Sequence, residues 1–193
     1  MTESHPCWDW MIVLTSTHHY ARDRLFFKDY VPVGIRSPAS PFGEEDLDIA
    51  GMGTVELLVH TGPESTSTTR TLVLKNVLHI PNALCNGFNG LQYSQVNGGG
   101  GLTFGSLTRQ GTDRDGSPLW YAKPFHGFSR LVIAGNPEGK SYLEDGLISL
   151  SIFVDETRLP QIVRPRARDR AEETSSNFRC TKGTVFPHMY LEF

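Results

Sequence analysis

Residues Trp10 to Tyr30 read WMIVLTSTHHYARDRLFFKDY. The stretch opens with a run of apolar residues, Met11-Ile12-Val13-Leu14, short enough for a buried strand and too short for a helix. Five hydroxyl and imidazole side chains follow, Thr15-Ser16-Thr17-His18-His19. A polar turn over Ala21-Arg22-Asp23-Arg24 then leads into an aromatic element, Leu25 to Tyr30. A buried strand followed by a polar turn presents its side chains at the lip of a β-barrel.

Downstream, Leu47 to Val59 (LDIAGMGTVELLV) alternates as a half-exposed strand does. Gly51 and Gly53 lack the third glycine and the following helix of a dinucleotide fingerprint, so they mark a turn or bulge. Thr61 to Thr69 has the composition of a hairpin loop, and Arg70 to Ile80 returns as a strand. Val31 to Pro41, punctuated by prolines, reads as a connection. Leu91 to Val96 fits a short helix or strand. Asn97 to Gly101 (NGGGG) is a loop, because glycine loses the most backbone entropy on ordering. Asp115-Gly116 is a hairpin signal between Leu102–Leu107 and Leu119–Ala122. Phe128–Ala134 and Leu147–Val154 close the list of strands. Many short strands with Gly and Pro turns predict an all-β barrel or sandwich.

The 193 residues suffice for one domain with a real core. A formal charge of −3 gives no general attraction to nucleic acid or to acidic membranes, so neither is an expected partner. No apolar run approaches the roughly 20 residues that cross a bilayer. Met1 to Pro6 has no apolar signal core, so no secretion signal is expected. Cys7, Cys85 and Cys180 are far apart and odd in number, which argues against a disulfide framework. An intracellular, cytoplasmic chain with reduced thiols is the expectation. The domain division expected is 1–154 for the barrel and 155–193 for an extension. That extension holds Arg158, Arg164, Arg166, Arg168, Arg170, Arg179 and Lys182. It is read as a solvated helix over Arg166–Glu173 and a final apolar strand over Thr184–Phe193, with a basic arm for an acidic partner as the functional alternative.

Three motifs fall in a familiar order. Trp10 to His19 leads into Asp23-Arg24 and Phe27-x-x-Tyr30; then come Ile49 to Leu57 and Leu74 to Pro81, with Cys85-Asn86-Gly87 behind them. Together they resemble the protease-like β-barrel domain of Copia-type retrotransposon polyproteins, in the domesticated stand-alone form of fungal genomes. The resemblance extends from Trp10 to about Leu91 and is absent after about residue 155. It implies a small retropepsin-like (acid protease type) barrel with short helices, a C-terminal extension and a homodimeric assembly.

The catalytic motif of that family is two apolar residues, Asp, Ser or Thr, Gly, Ala, Ser or Thr, His. Anchored on Thr17-His18-His19, it puts Val13 at the Asp position and Thr15 at the Gly position. No Asp or Glu lies between Met11 and Ala21. Aspartic proteolysis needs two carboxylates that share a proton and activate water. Valine can do neither, so a pseudoprotease is expected.

Two functions remain open. One is a non-enzymatic binding or dimerisation module. The other is a cleft repurposed for small-molecule chemistry in fungal secondary metabolism, such as cyclisation, isomerisation or hydrolysis. For the second, the candidate catalytic residues are His18, His19, Thr15, Thr17 and Asp23, with a histidine as acid or base near neutral pH. Trp10, Tyr20, Phe27 and His79 are the candidate contacts for an apolar ligand. No histidine pair has metal-ligand spacing, and no metal or other cofactor is expected.

Overall fold

A computed structural model describes residues 5–38, 46–143 and 149–155, together with 157 and 159. They belong to a compact unit, Met1–Pro160. The predicted Arg-rich helix and the final strand lie outside the described residues.

The unit is all-β, as the turn-rich sequence requires. Among the described residues ten strands form one sheet: β1 (Trp10–Ile12), β2 (Tyr20–Ala21), β3 (Phe27–Pro38), β4 (Asp46–His60), β5 (Thr69–His79), β6 (Asn86–Phe88), β7 (Leu102–Phe104), β8 (Arg109–Thr112), β9 (Pro118–Phe125) and β10 (Phe128–Leu131). One α-helix among the described residues, α1, spans Gly90–Asn97, and a short 3-10 turn spans Arg24–Phe26. The order across the sheet is β3-β4-β5-β2-β6-β1-β10-β9-β8-β7. The sheet curls onto itself just after β10. There Val59 bridges Ile133, His60 N–H donates to the Val132 carbonyl, and Ala134 N–H donates to that of Leu58, both at 2.8 Å. β4 can serve both partners on one edge because β3 pairs with it only up to Val55, while β5 holds the other edge.

Trp10, Phe27, Val55, Leu57, Leu72, Leu74, Phe88 and Trp120 fill the core cluster. Alternation along β5 shows how the sequence sorts them: Leu72 and Leu74 are buried while Val73 is exposed. The alternation stops at Val77-Leu78-His79-Ile80, where every residue is buried. Cys7, Met11, Met52, Leu78 and Cys85 are buried outside the core cluster, so this part of the sheet is covered on both faces.

Two expectations are corrected. The proline-rich Val31 to Pro38 is strand, not connection; Pro32 faces Gly51 and Pro38 faces Asp46 in the β3–β4 ladder. β3 is an edge strand, where a missing N–H points away from any partner and costs little. Leu147–Val154 was expected to be a strand, yet residues 149–154 belong to none. Their backbone bonds mainly to side chains rather than to a neighbouring strand, as shown below. Gly51 and Gly53 lie within β4 beside register shifts against both β3 and β5. A Cβ at Gly53 would sit 1.7 Å from the Asp29 carbonyl oxygen, and one at Gly51 would sit 2.3 Å from the Tyr30 ring. The bulge reading therefore holds, and the physical need is for space between two strands.

Candidate functional site

β1 and β2 flank β6, β1 running parallel to it and β2 antiparallel. The turn that joins them, residues 13–19, wraps the end of β6 where α1 begins. Val13 N–H donates to the Phe88 carbonyl at 3.0 Å. Asn89, the next residue, is the centre of the turn. Its side-chain oxygen caps α1 by accepting from Gln92 N–H at 2.9 Å. Its side-chain amide donates to the Ser16 carbonyl at 2.6 Å. Its backbone N–H donates to His19 Nδ1 at 3.0 Å.

That last bond fixes the role of His19. Nδ1 is an acceptor, so the ring proton sits on Nε2. The ring stacks on Phe88 with centroids 5.5 Å apart. Burial, with the neighbouring His18 adding to it, pushes the His19 pKa down to about 3. His19 is thus a neutral structural histidine with its lone pair occupied. His18 is also buried, and its Nδ1 shares a 3.1 Å hydrogen bond with Thr17 Oγ1.

The hydroxyls of the turn hold residues 149–154 as a strap. Ser16 Oγ accepts from Ile152 N–H at 2.9 Å, and Thr17 Oγ1 accepts from Val154 N–H at 3.0 Å. Thr17 N–H donates to the Ile152 carbonyl at 3.1 Å. Thr15 Oγ1 and Ser151 Oγ share a bond of 2.5 Å. Tyr20 donates its hydroxyl to the Leu150 carbonyl at 2.7 Å. Its ring lies across Gly87, where a Cβ would be 2.1 Å from the ring edge. Ile152 and Val154 turn inward and are buried, while Phe153 between them is exposed. Between turn and strap a cavity of about 230 Å³ remains, lined by Val13, Leu14, Thr15, Phe128, Leu150 and Ser151 among others. That is below the roughly 300 Å³ at which small-molecule sites begin.

The other candidates separate. Trp10 is fully buried in the core cluster. The Asp23 carboxylate accepts from Cys7 N–H at 2.8 Å and pins the N-terminal segment. Asp23 acts electrostatically on His79, not on His19. His79 Nδ1 shares a 2.8 Å hydrogen bond with the Tyr30 hydroxyl, and Phe27 packs against the same imidazole. The Arg24 guanidinium lies 3.8 Å above the Tyr30 ring. Burial, chiefly, lowers the His79 pKa. Tyr30 and His79 form a direct hydrogen-bonded pair, the arrangement here most suited to moving a proton. Cys7 and Cys85 are buried free thiols, pushed up to about 11 and about 12 by burial, and so are poor nucleophiles.

Sequence reasoning missed Asn89, although an Asn just before a short helical stretch is an N-cap signal. It missed Asp9 and Arg130 as well. They are joined by an ion pair of 2.9 Å across 121 positions, and nothing local announces that. Among the described residues no three His, Cys, Asp or Glu side chains converge as a metal site. None of the described helices is long and apolar enough to cross a membrane.

Residues 10–97, from the start of β1 to the end of α1, match the family model of the Pol polyprotein β-barrel domain. No curated protein and no solved structure matches the chain.

Proposed function

We propose that the chain is a proteolytically silent barrel of the retrotransposon polyprotein type, of Copia and fungal origin, that works as a binding or dimerisation module. One observation carries this reading. At the turn where an acid protease would hold its carboxylates, the side chains serve the fold itself. Ser16 and Thr17 hold the strap and His19 holds Asn89. Val13, which the resemblance sets at the acid position, is buried. A charged, water-activating pair has no place in such a turn. The retained barrel with its long β3 edge is what a binding or pairing domain needs.

The test is hydrolysis of a fluorogenic peptide library by the purified chain, from acid to neutral pH, with and without pepstatin. No turnover is expected. Pepstatin-sensitive cleavage that disappears on one Asp→Asn substitution would overturn the reading.

A second reading keeps small-molecule acid–base chemistry but moves it from Thr15–His19 to Tyr30 and His79. Their direct hydrogen bond and the Arg24 cation above the Tyr30 ring favour it. Under it, Tyr30→Phe abolishes turnover of any substrate found while leaving the fold intact.

A further inference from the structure

A cavity larger than the one at the turn lies elsewhere on the barrel. It measures about 450 Å³ and runs between the N-terminal segment at Trp8 and Asp9, the strands β9 and β10, and residues 136–141. Lys123 and Arg130, which line it, are directly opposed in the β9–β10 ladder. Lys140 comes from the facing segment, and Glu138 beside it is the only other acid after Asp9 in the lining. Like charges placed opposite one another across a ladder are unfavourable unless an anion or carboxylate offsets them.

Arg130 is held rather than free. Asp9, itself buried, binds its Nη1 at 2.9 Å, and the guanidinium stacks 3.7 Å above the Phe125 ring. Asp9 neutralises Arg130. The remaining lining charges are Lys123 and Lys140 against Glu138, an excess of one positive charge. The facing segment is anchored too. Lys140 N–H donates to the Pro6 carbonyl at 3.2 Å, and Arg22 lies 3.8 Å over the Tyr142 ring. Gly139 permits this packing, since a Cβ there would be 2.1 Å from the Pro6 oxygen.

A second cavity, of about 390 Å³, adjoins the first and shares Trp8, Ile133 and Pro137 with it. Its own lining is mainly apolar: Leu25, Phe26, Phe27, Leu57 and Leu58, with the paired Lys28 and Glu56 at its margin. Leu25 and Leu58 are exposed, at 59% and 50%. Both cavities fall in the size range of small-ligand sites.

From a basin with one excess positive charge that shares Trp8, Ile133 and Pro137 with an apolar one, we infer that this wall binds an amphipathic carboxylate, its head at Lys123 and Lys140 and its tail along Leu25 and Leu58. The inference gives the binding-module reading a ligand class and rests on that reading. It does not depend on proteolytic silence, so cleavage assays and binding assays fail separately.

Decanoate is the probe, followed by tryptophan fluorescence, because Trp8 lines both cavities, and by indole N–H resonances. Acetate supplies the head without the tail, and decyltrimethylammonium the tail with the opposite charge. Saturable decanoate binding is expected, at least about tenfold tighter than either control. Lys123→Gln with Lys140→Gln should weaken it about tenfold or more, and Leu58→Ser severalfold. All three are exposed positions, so the fold is preserved. The inference is overturned if decanoate shows no saturation below about 1 mM. Equal binding of the cationic amphiphile, or no change on the double lysine substitution, would also overturn it.

Discussion

The turn at Thr15–His19 and the wall around Arg130 are both rich in polar side chains, yet they are built to opposite ends. In the turn, hydroxyls, imidazole and amide satisfy one another and the strap over residues 149–154, and the leftover space is about 230 Å³. On the wall the charged groups meet across a cavity of about 450 Å³; Arg130 is tied down by Asp9 and Phe125, and the Lys140 ammonium lies 4.6 Å from the Tyr142 ring centroid. Polarity alone therefore does not mark a site. A polar group whose partners are internal stabilises the fold, and one whose partners are absent is available to a ligand.

The comparison can be broken most sharply at His19. His19→Ala leaves the buried Asn89 N–H without its acceptor and a gap against Phe88, so a loss of about 3 kcal/mol in denaturant unfolding is expected. Little loss would mean that the turn is not the closed network drawn above.

The next largest effect is one of pH. The His19 pKa falls from 6.5 to about 3 on folding. Below pH 6.5 the unfolded chain therefore binds a proton that the folded chain refuses, and stability falls as pH is lowered. The slope is about 1.4 kcal/mol per pH unit, or about 2 kcal/mol between pH 6.5 and about pH 5. Urea titrations at a series of pH values check this. His19→Asn, which keeps an acceptor and removes the titration, should flatten the profile.

Ser16→Ala and Thr17→Val each remove a hydroxyl that holds the strap, at a cost of about 1 kcal/mol. Limited proteolysis should then cut near residues 149–154 sooner than in the parent. The smallest effect belongs to the wall. Lys123→Gln changes an exposed side chain and should move stability by less than about 0.5 kcal/mol. A large loss there would make Lys123 a structural cation and erase the contrast.

Much of this architecture was legible in the chain. The strand from Met11, the bulging Gly51 and Gly53 and the returning strand from Arg70 follow from local pattern and from the geometry of the residues themselves; the Asp115-Gly116 turn was legible too, although the strand it joins to β9 is Arg109–Thr112 and not Leu102–Leu107. The prolines of Val31 to Pro38 misled, because proline excludes a central strand and not an edge, and which strand is an edge is not a local property. Leu147–Val154 misled for a related reason. Its alternation is real, but its backbone partners are the side chains of Ser16 and Thr17, more than 130 positions away.

The candidate site divides along the same line. Sequence alone determined that no carboxylate lies between Met11 and Ala21, a fact of composition that no folding can reverse. It also placed His18, His19 and the three hydroxyls together, since neighbours in a short turn stay neighbours. Only the tertiary structure decided what those groups do. Whether a histidine is a base or a structural acceptor depends on what its lone pair meets, and for His19 that is the amide of Asn89, 70 positions on. The pairing of Asp9 with Arg130 and the cavity beside it likewise arise from strands brought together by sheet closure. Local pattern fixes which side chains lie near one another along the chain; which segments pair as strands and which side chains end up face to face is settled by packing.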